Sequence, residues 1–252
     1  MRALFWGWFP ILWEEMVVWR RRFWLYIATY VLSPLIFLLS FGFGVGGRLR
    51  GLLPGGMSYA EFLVPGVVAL AVFNNGITAV TVRLFYNRLH FKSFEAYRLA
   101  PVNDFAVWFG YALTGALRGL LAGGMVLGSA LFLVPGLRVA PAGWPCLVAL
   151  AFFAGTCGVF LGLCLRSFDD QTVISEFFVV PLTFLCGTLV PLDRLPAALQ
   201  HLVWLLPLTP ATSVVRAGFT GQPVPWVEVM ALGGWTLFFA ALGLWRLKRN
   251  EE

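Results

Sequence analysis

From Trp24 to Val45, and again from Phe62 to Val82, the chain carries no charged side chain. Each run is long enough to cross a bilayer core, a task that takes about 20 apolar residues as a helix. Comparable apolar runs are read over 108–134, 145–165, 173–192 and 227–245. Only 12 % of the 252 residues are charged, against about 25 % in soluble domains, too few to cover a water-facing surface. The expected fold class is an all-α integral membrane protein of six transmembrane helices, forming a single domain over 1–252. An N-terminal interfacial helix (1–23) precedes the first span, 24–45. Short outer-side, re-entrant helices (195–216) precede the last.

Basic residues set the orientation, because cytoplasmic loops concentrate Lys and Arg. With both termini cytoplasmic, that side holds Arg2, Arg20–Arg22, Arg83, Arg88, Lys92, Arg98, Arg166, Arg246, Lys248 and Arg249. The opposite side keeps only Arg48, Arg50, Arg138, Arg194 and Arg216. The net charge of +6 is thus a topological signal and gives no reason to expect a nucleic-acid partner.

The opening stretch lays Leu4, Phe5, Trp8, Ile11, Leu12, Met16 and Trp19 along one stripe beside Glu14 and Glu15. Such a helix lies in the interface, with tryptophans at headgroup depth. Residues 82–105 form the most polar internal stretch, and a short helix is expected over 91–99, stopped before Pro101. Its Phe94, Glu95, Tyr97 and Arg98 suit docking of a soluble partner as well as they suit a loop tied down by snorkelling cations. Arg118 falls inside the third span, where an ionised group is either functional or snorkels to the surface. Asn74 and Asn75 lie near the middle of the second span and join Arg118 as candidate pathway residues.

Asp169 or Asp170 is expected to cap the fifth span, where acidic groups complement the helix dipole. An enzyme would need Asp169, Asp170, Glu176 and Arg118 to converge, a poor catalytic set without a histidine or nucleophile. His90 and His201 fall on opposite sides of the membrane in this topology. Cys146, Cys157, Cys164 and Cys186 read as small hydrophobes. No metal and no bound cofactor is expected, and the chain contains no GxxxxGK[ST] phosphate loop.

The stretch FLCGTLVPLDRLPAALQHLVWLLPLTPATSVV, residues 184–215, is greasy yet broken by Pro191, Pro196, Pro207 and Pro210. Leu199 to Leu206 is too short to cross, and Pro207 interrupts any continuation. A short outer-side helix over Leu195–Leu206, followed by a second bend or short helix, is expected.

This arrangement resembles the membrane subunits of ABC-2 type exporters, and its look is closest to the nodulation-factor (lipo-oligosaccharide) export permeases. The likeness is carried by Gly187, Pro191, Leu195–Pro196, Pro207–Leu208–Thr209–Pro210 and Arg216, and by FEAYRLAPV at 94–102, which is similar to the family's coupling region. The resemblance implies a bacterial inner-membrane permease without a catalytic centre of its own. It implies pairing with a second copy and with two separate ATPase subunits, which use ATP and magnesium and dock on Phe94, Glu95, Tyr97 and Arg98. It implies export of a lipid-linked or amphiphilic substrate. Gly187, Pro191, Pro196, His201, Pro207 and Pro210 join Arg118, Asn74 and Asn75 as candidate pathway or gating residues. A non-transporting polytopic scaffold, or a membrane-embedded enzyme, is the competing reading; an adjacent gene for a phosphate-loop ATPase would separate them.

Overall fold

A computed structural model describes residues 6–40, 59–92, 94, 100–134, 137, 139–188 and 196–249. Every regular element among them is helical. Helix α1 (Trp8–Arg21) leads into α2 (Phe23–Phe37), and α3 (Tyr59–Phe85) ends in a π-helical turn (Tyr86–His90). Then come α4 (Asp104–Leu133) and α5 (Gly143–Cys164). Helix α6 (Phe168–Ile174) is joined to α7 (Val180–Leu185) through a π-helical turn (Ser175–Val179). Two short helices, α8 (Ala197–Trp204) and α9 (Leu208–Thr220), precede α10 (Trp226–Arg249).

Among the described residues, four helices are long and apolar enough to cross a membrane: Glu61–His90, Asp104–Leu133, Gly143–Cys164 and Trp226–Arg249. They coincide with the second, third, fourth and sixth expected spans. The first expected span is helical from Phe23 to Ser40, and residues 41–45 lie outside the described residues. The fifth is helical to Leu185, and residues 189–192 lie outside them.

The second span runs eight residues beyond Val82, into what reads in sequence as a polar loop. Two of its polar side chains find hydrogen-bond partners on neighbouring helices. Asn87 donates to the Tyr111 hydroxyl at 3.0 Å. Arg88 donates to the carbonyls of Gly162 and Leu163 at 3.0 and 2.9 Å, satisfying orphan acceptors at the α5 C-terminus where a cation also suits the dipole. Lys92 then takes a left-handed conformation, φ 53°, and the chain leaves the helix.

Helices α3, α4 and α5 form the centre, and small residues let their backbones touch. A β-carbon on Gly155 would meet the Ala112 carbonyl oxygen at 2.2 Å; one on Gly115 would meet the Gly155 α-carbon at 2.8 Å. Close approach through small residues is how helices gain packing contacts where lipid supplies no hydrophobic drive. Around this centre lie Phe73, Leu147, Leu150, Phe153 and Cys157, all fully buried. By contrast Trp226, Val227, Met230 and Leu237 on α10 are each more than 70 % exposed, as are Phe132 on α4 and Phe177 in the second π-helical turn. Such a surface suits hydrocarbon and is foreign to water.

The turn between α5 and α6 corrects one expectation. Ser167, and neither aspartate, is the N-cap. Its hydroxyl accepts from the Asp170 N–H, and the Asp170 carboxylate accepts from the N–H groups of Arg166 and Ser167, a reciprocal capping box. The Arg166 N–H, with help from Ser167, holds the Asp170 carboxyl below the ordinary carboxylate range. With its folded pKa depressed, its contribution is present above the unfolded value and is lost as pH falls through the folded one. Ser167→Ala is expected to cost about 1 kcal/mol, read as a lowered thermal midpoint of the detergent-solubilised protein.

Candidate functional site

At the end of the bundle carrying Arg88 and Arg246, α1 is fastened to the centre by charge. Glu14 pairs with Arg83 of α3 at 2.5 Å. Glu15, 5 % exposed, pairs with Arg118 of α4. Arg118 also donates to the Tyr26 hydroxyl at 3.3 Å and lies 5.2 Å from that ring's centroid. Because α4 starts at Asp104, Arg118 sits roughly 21 Å along it, deeper than a start at Trp108 suggests. Its charge is met by a carboxylate from the N-terminal helix.

Helix α1 follows the side of α4. Val102 would meet a β-carbon on Gly7, Gly110 faces Trp8 and Ile11, and Arg118 meets Glu15. Glu15 is buried, Glu14 reaches Arg83 from an exposed position, and Trp6, Phe9, Trp13 and Met16 are exposed. A helix on a soluble core would turn such large apolar side chains inward, whereas this one suits an outer face that meets lipid. Trp6, Trp8, Phe9 and Trp13 form a run of ring contacts along this surface.

Of the coupling-segment residues, Phe94 is 7 % exposed and packs with Ile11, Val80, Leu84, Val107, Trp108 and Tyr111. The buried ring presents little surface to a partner, against its expected place among the docking contacts. Glu95, Tyr97 and Arg98 lie outside the described residues, and with them most of the expected helix 91–99.

The opposite end gathers the proline-rich signature. Pro196 and Pro207 are the N-caps of α8 and α9, and Pro210 stands in the first turn of α9. These positions need no intrahelical N–H, so proline starts a helix at no cost in hydrogen bonds. Gly187, at φ 70°, presents its carbonyl to Arg216, which donates to it at 2.7 Å while its guanidinium stacks 4.0 Å from the Phe62 ring centroid. Thr212 donates to the Cys186 carbonyl at 2.7 Å and Thr209 to that of Val203 at 2.5 Å. These bonds tie α9 to the end of α7 and to α8. Helix α9 extends to Thr220, where Gly221 closes it in the left-handed conformation, so it outruns the expected boundary at 216. Pro191 and the His201 side chain lie outside the described residues and atoms.

Asn75 donates to the Ala71 carbonyl at 2.9 Å and faces a groove shared with Arg118. The Asn74 side-chain oxygen is buried without a hydrogen-bond partner. Arg118 is engaged by Glu15, and Asp170 by its own turn. The Glu15 partnership of Arg118 escaped the sequence reading; the only signal was an acidic pair on a helix entering a membrane domain.

Long apolar helices with exposed aromatics, an ionically clamped N-terminal helix and paired short helices at the far end fit a multi-pass membrane protein. The family model described as ABC-2 type transporter matches residues 8–220, and the chain belongs to that family. It is 29 % identical over 238 residues to the inner membrane transport permease YadH of Escherichia coli strain K12, covering 92 % of this chain and 91 % of the relative. It is also similar to nodulation protein J of Neorhizobium galegae, at 25 % identity over 257 residues and 94 % of each chain. Nodulation protein J of Rhizobium leguminosarum bv. trifolii is 27 % identical over 230 residues, with 86 % and 83 % covered.

Proposed function

We propose that this chain is the permease subunit of an ATP-driven exporter of the bacterial inner membrane, with both termini cytoplasmic. The observation that carries this reading is the family match across 8–220; in this reading ATP and magnesium are used by a separate ATPase subunit. Two copies of the chain form the pathway, and two ATPase subunits dock beneath the segment anchored by Phe94. The cargo is a lipid-linked saccharide or another amphiphile, a class supported by similarity to nodulation protein J. Nucleotide-driven closure of the ATPase pair rocks the basic end, while α8 and α9 cover the outward end. The first and fifth apolar segments complete six spans.

Co-purification with a candidate ATPase subunit, followed by transport into inverted vesicles with amphiphilic substrates, tests this reading. Glu95→Arg and Arg98→Glu are each expected to weaken ATPase recovery by up to about fivefold, the scale of one exposed ionic contact, and to lower export while membrane insertion stays intact. Unchanged complex recovery, ATPase stimulation and export in both variants would exclude docking through this segment.

A further inference from the structure

A groove of about 540 Å3 opens between α2, α3 and α4. Arg22 and Arg83 stand at its rim, and Arg118 lies within. Glu14 and Glu15 neutralise Arg83 and Arg118. Arg22 is exposed and has no ionic partner among the described residues. Arg83 reaches Glu14 through one Nη2 bond at 2.5 Å and makes no second hydrogen bond among the described residues. Three guanidiniums against two carboxylates leave one uncompensated positive charge on a partly apolar cleft. A guanidinium fork with spare N–H groups matches phosphate oxygens.

The walls behind the rim are apolar and aromatic, with Leu25, Tyr26, Tyr30 and Val82 facing the space. The groove continues onto the flank of α2, where Trp24, Leu25 and Leu32 are 80 %, 60 % and 61 % exposed. A soluble anion would leave this apolar flank unused. We propose that the groove holds one resident monoanionic phospholipid from the leaflet at the basic end. Its phosphate sits between Arg22 and Arg83, and its first acyl segments lie along Leu25, Tyr26 and Val82. The lipid fastens α2 to α3 beside the two ion pairs that fasten α1, and it is distinct from exported cargo.

Native mass spectrometry of the delipidated full chain in detergent, titrated with phosphatidylglycerol or phosphatidylcholine of equal chain length, tests this site without any transport assay. One phosphatidylglycerol per chain is expected to bind in preference to phosphatidylcholine. Arg22→Gln, which breaks no contact described here, is expected to weaken phosphatidylglycerol about fivefold, the scale of one basic residue at a membrane surface. Thr78→Trp, filling the groove from an exposed position, is expected to abolish the bound lipid while Glu14 and Glu15 keep their partners. Glycerol phosphate should not displace the lipid. Equal binding of the two lipids, or wild-type phosphatidylglycerol binding by Arg22→Gln, overturns the proposal. So does displacement by glycerol phosphate, which would mark a site for soluble phosphate.

Discussion

Gly155→Leu is expected to leave no folded protein recoverable from the membrane. At this position even a single methyl group would stand 2.2 Å from the Ala112 carbonyl oxygen and 3.2 Å from the Ala116 nitrogen, both backbone atoms that no rotamer change can move. Gly115 and Gly76 stack beside it: a β-carbon on Gly115 would lie 2.9 Å from the Gly76 carbonyl oxygen, and one on Gly76 would lie 2.9 Å from the Ala154 β-carbon. Relief requires α5 to retreat from α4, opening the packing around Phe153 and Leu150. Gly155→Ala is expected to cost about 3 kcal/mol, the upper part of the usual overpacking range, and leucine more than the bundle can absorb. Gly124→Ala and Gly233→Ala are the controls, because nothing lies within 4 Å of a β-carbon at either position. They should be neutral or stabilise by about 0.5–1 kcal/mol through helix propensity. Size-exclusion profiles and thermal midpoints in detergent check the series, and a wild-type midpoint for Gly155→Ala would refute backbone contact at this crossing.

Arg118→Ala is expected to destabilise by about 3–5 kcal/mol, because it strands the buried Glu15 carboxylate without its counter-charge. The same substitution removes the Tyr26 contact, so α1 should loosen from α4 and become sensitive to protease. Glu15→Ala should act in the same direction. The double replacement Glu15→Leu with Arg118→Met removes both charges while keeping bulk, and buried pairs replaced this way are commonly neutral or stabilising. Recovery of stability in the double variant, with α1 protected again, would separate a structural clamp from a direct role of Arg118 in cargo movement. If the double variant is stable yet fails to export, Arg118 touches the pathway as well. Single variants as stable and as protease-resistant as wild type would rule out the clamp.

Four of the spans were legible because a bilayer imposes a one-dimensional rule: about 20 apolar residues in succession. The boundaries were less so. Val82 looks like the end of a span because Arg83, Asn87 and Arg88 follow it, yet α3 and its π-helical turn carry these residues to His90. Their partners, Glu14, Tyr111 and the α5 carbonyls, sit 24 to 75 residues away. The proline-rich stretch was legible as short helices because proline at a cap or first turn is a local preference. That Gly187 and Arg216 meet across 29 residues was not. Phe94 looked like an exposed ring in a polar segment and is buried, since aromatic periodicity over so short a stretch does not say which face is covered.

What the amino-acid order determined by itself is the solvent this protein lives in, its helical class, the positions of its apolar segments and the prolines at which its short helices begin. Each follows from local physics: hydrocarbon length, backbone satisfaction in lipid and proline's missing N–H. Only the tertiary structure decided where the charges go. Arg118 with Glu15, Arg83 with Glu14 and Arg88 with the end of α5 are pairings between distant segments. An ionised group inside a bundle accepts whichever opposite charge the packing brings within reach. That packing is set by glycines such as Gly155, whose lack of a side chain says nothing in sequence about which helix will come close.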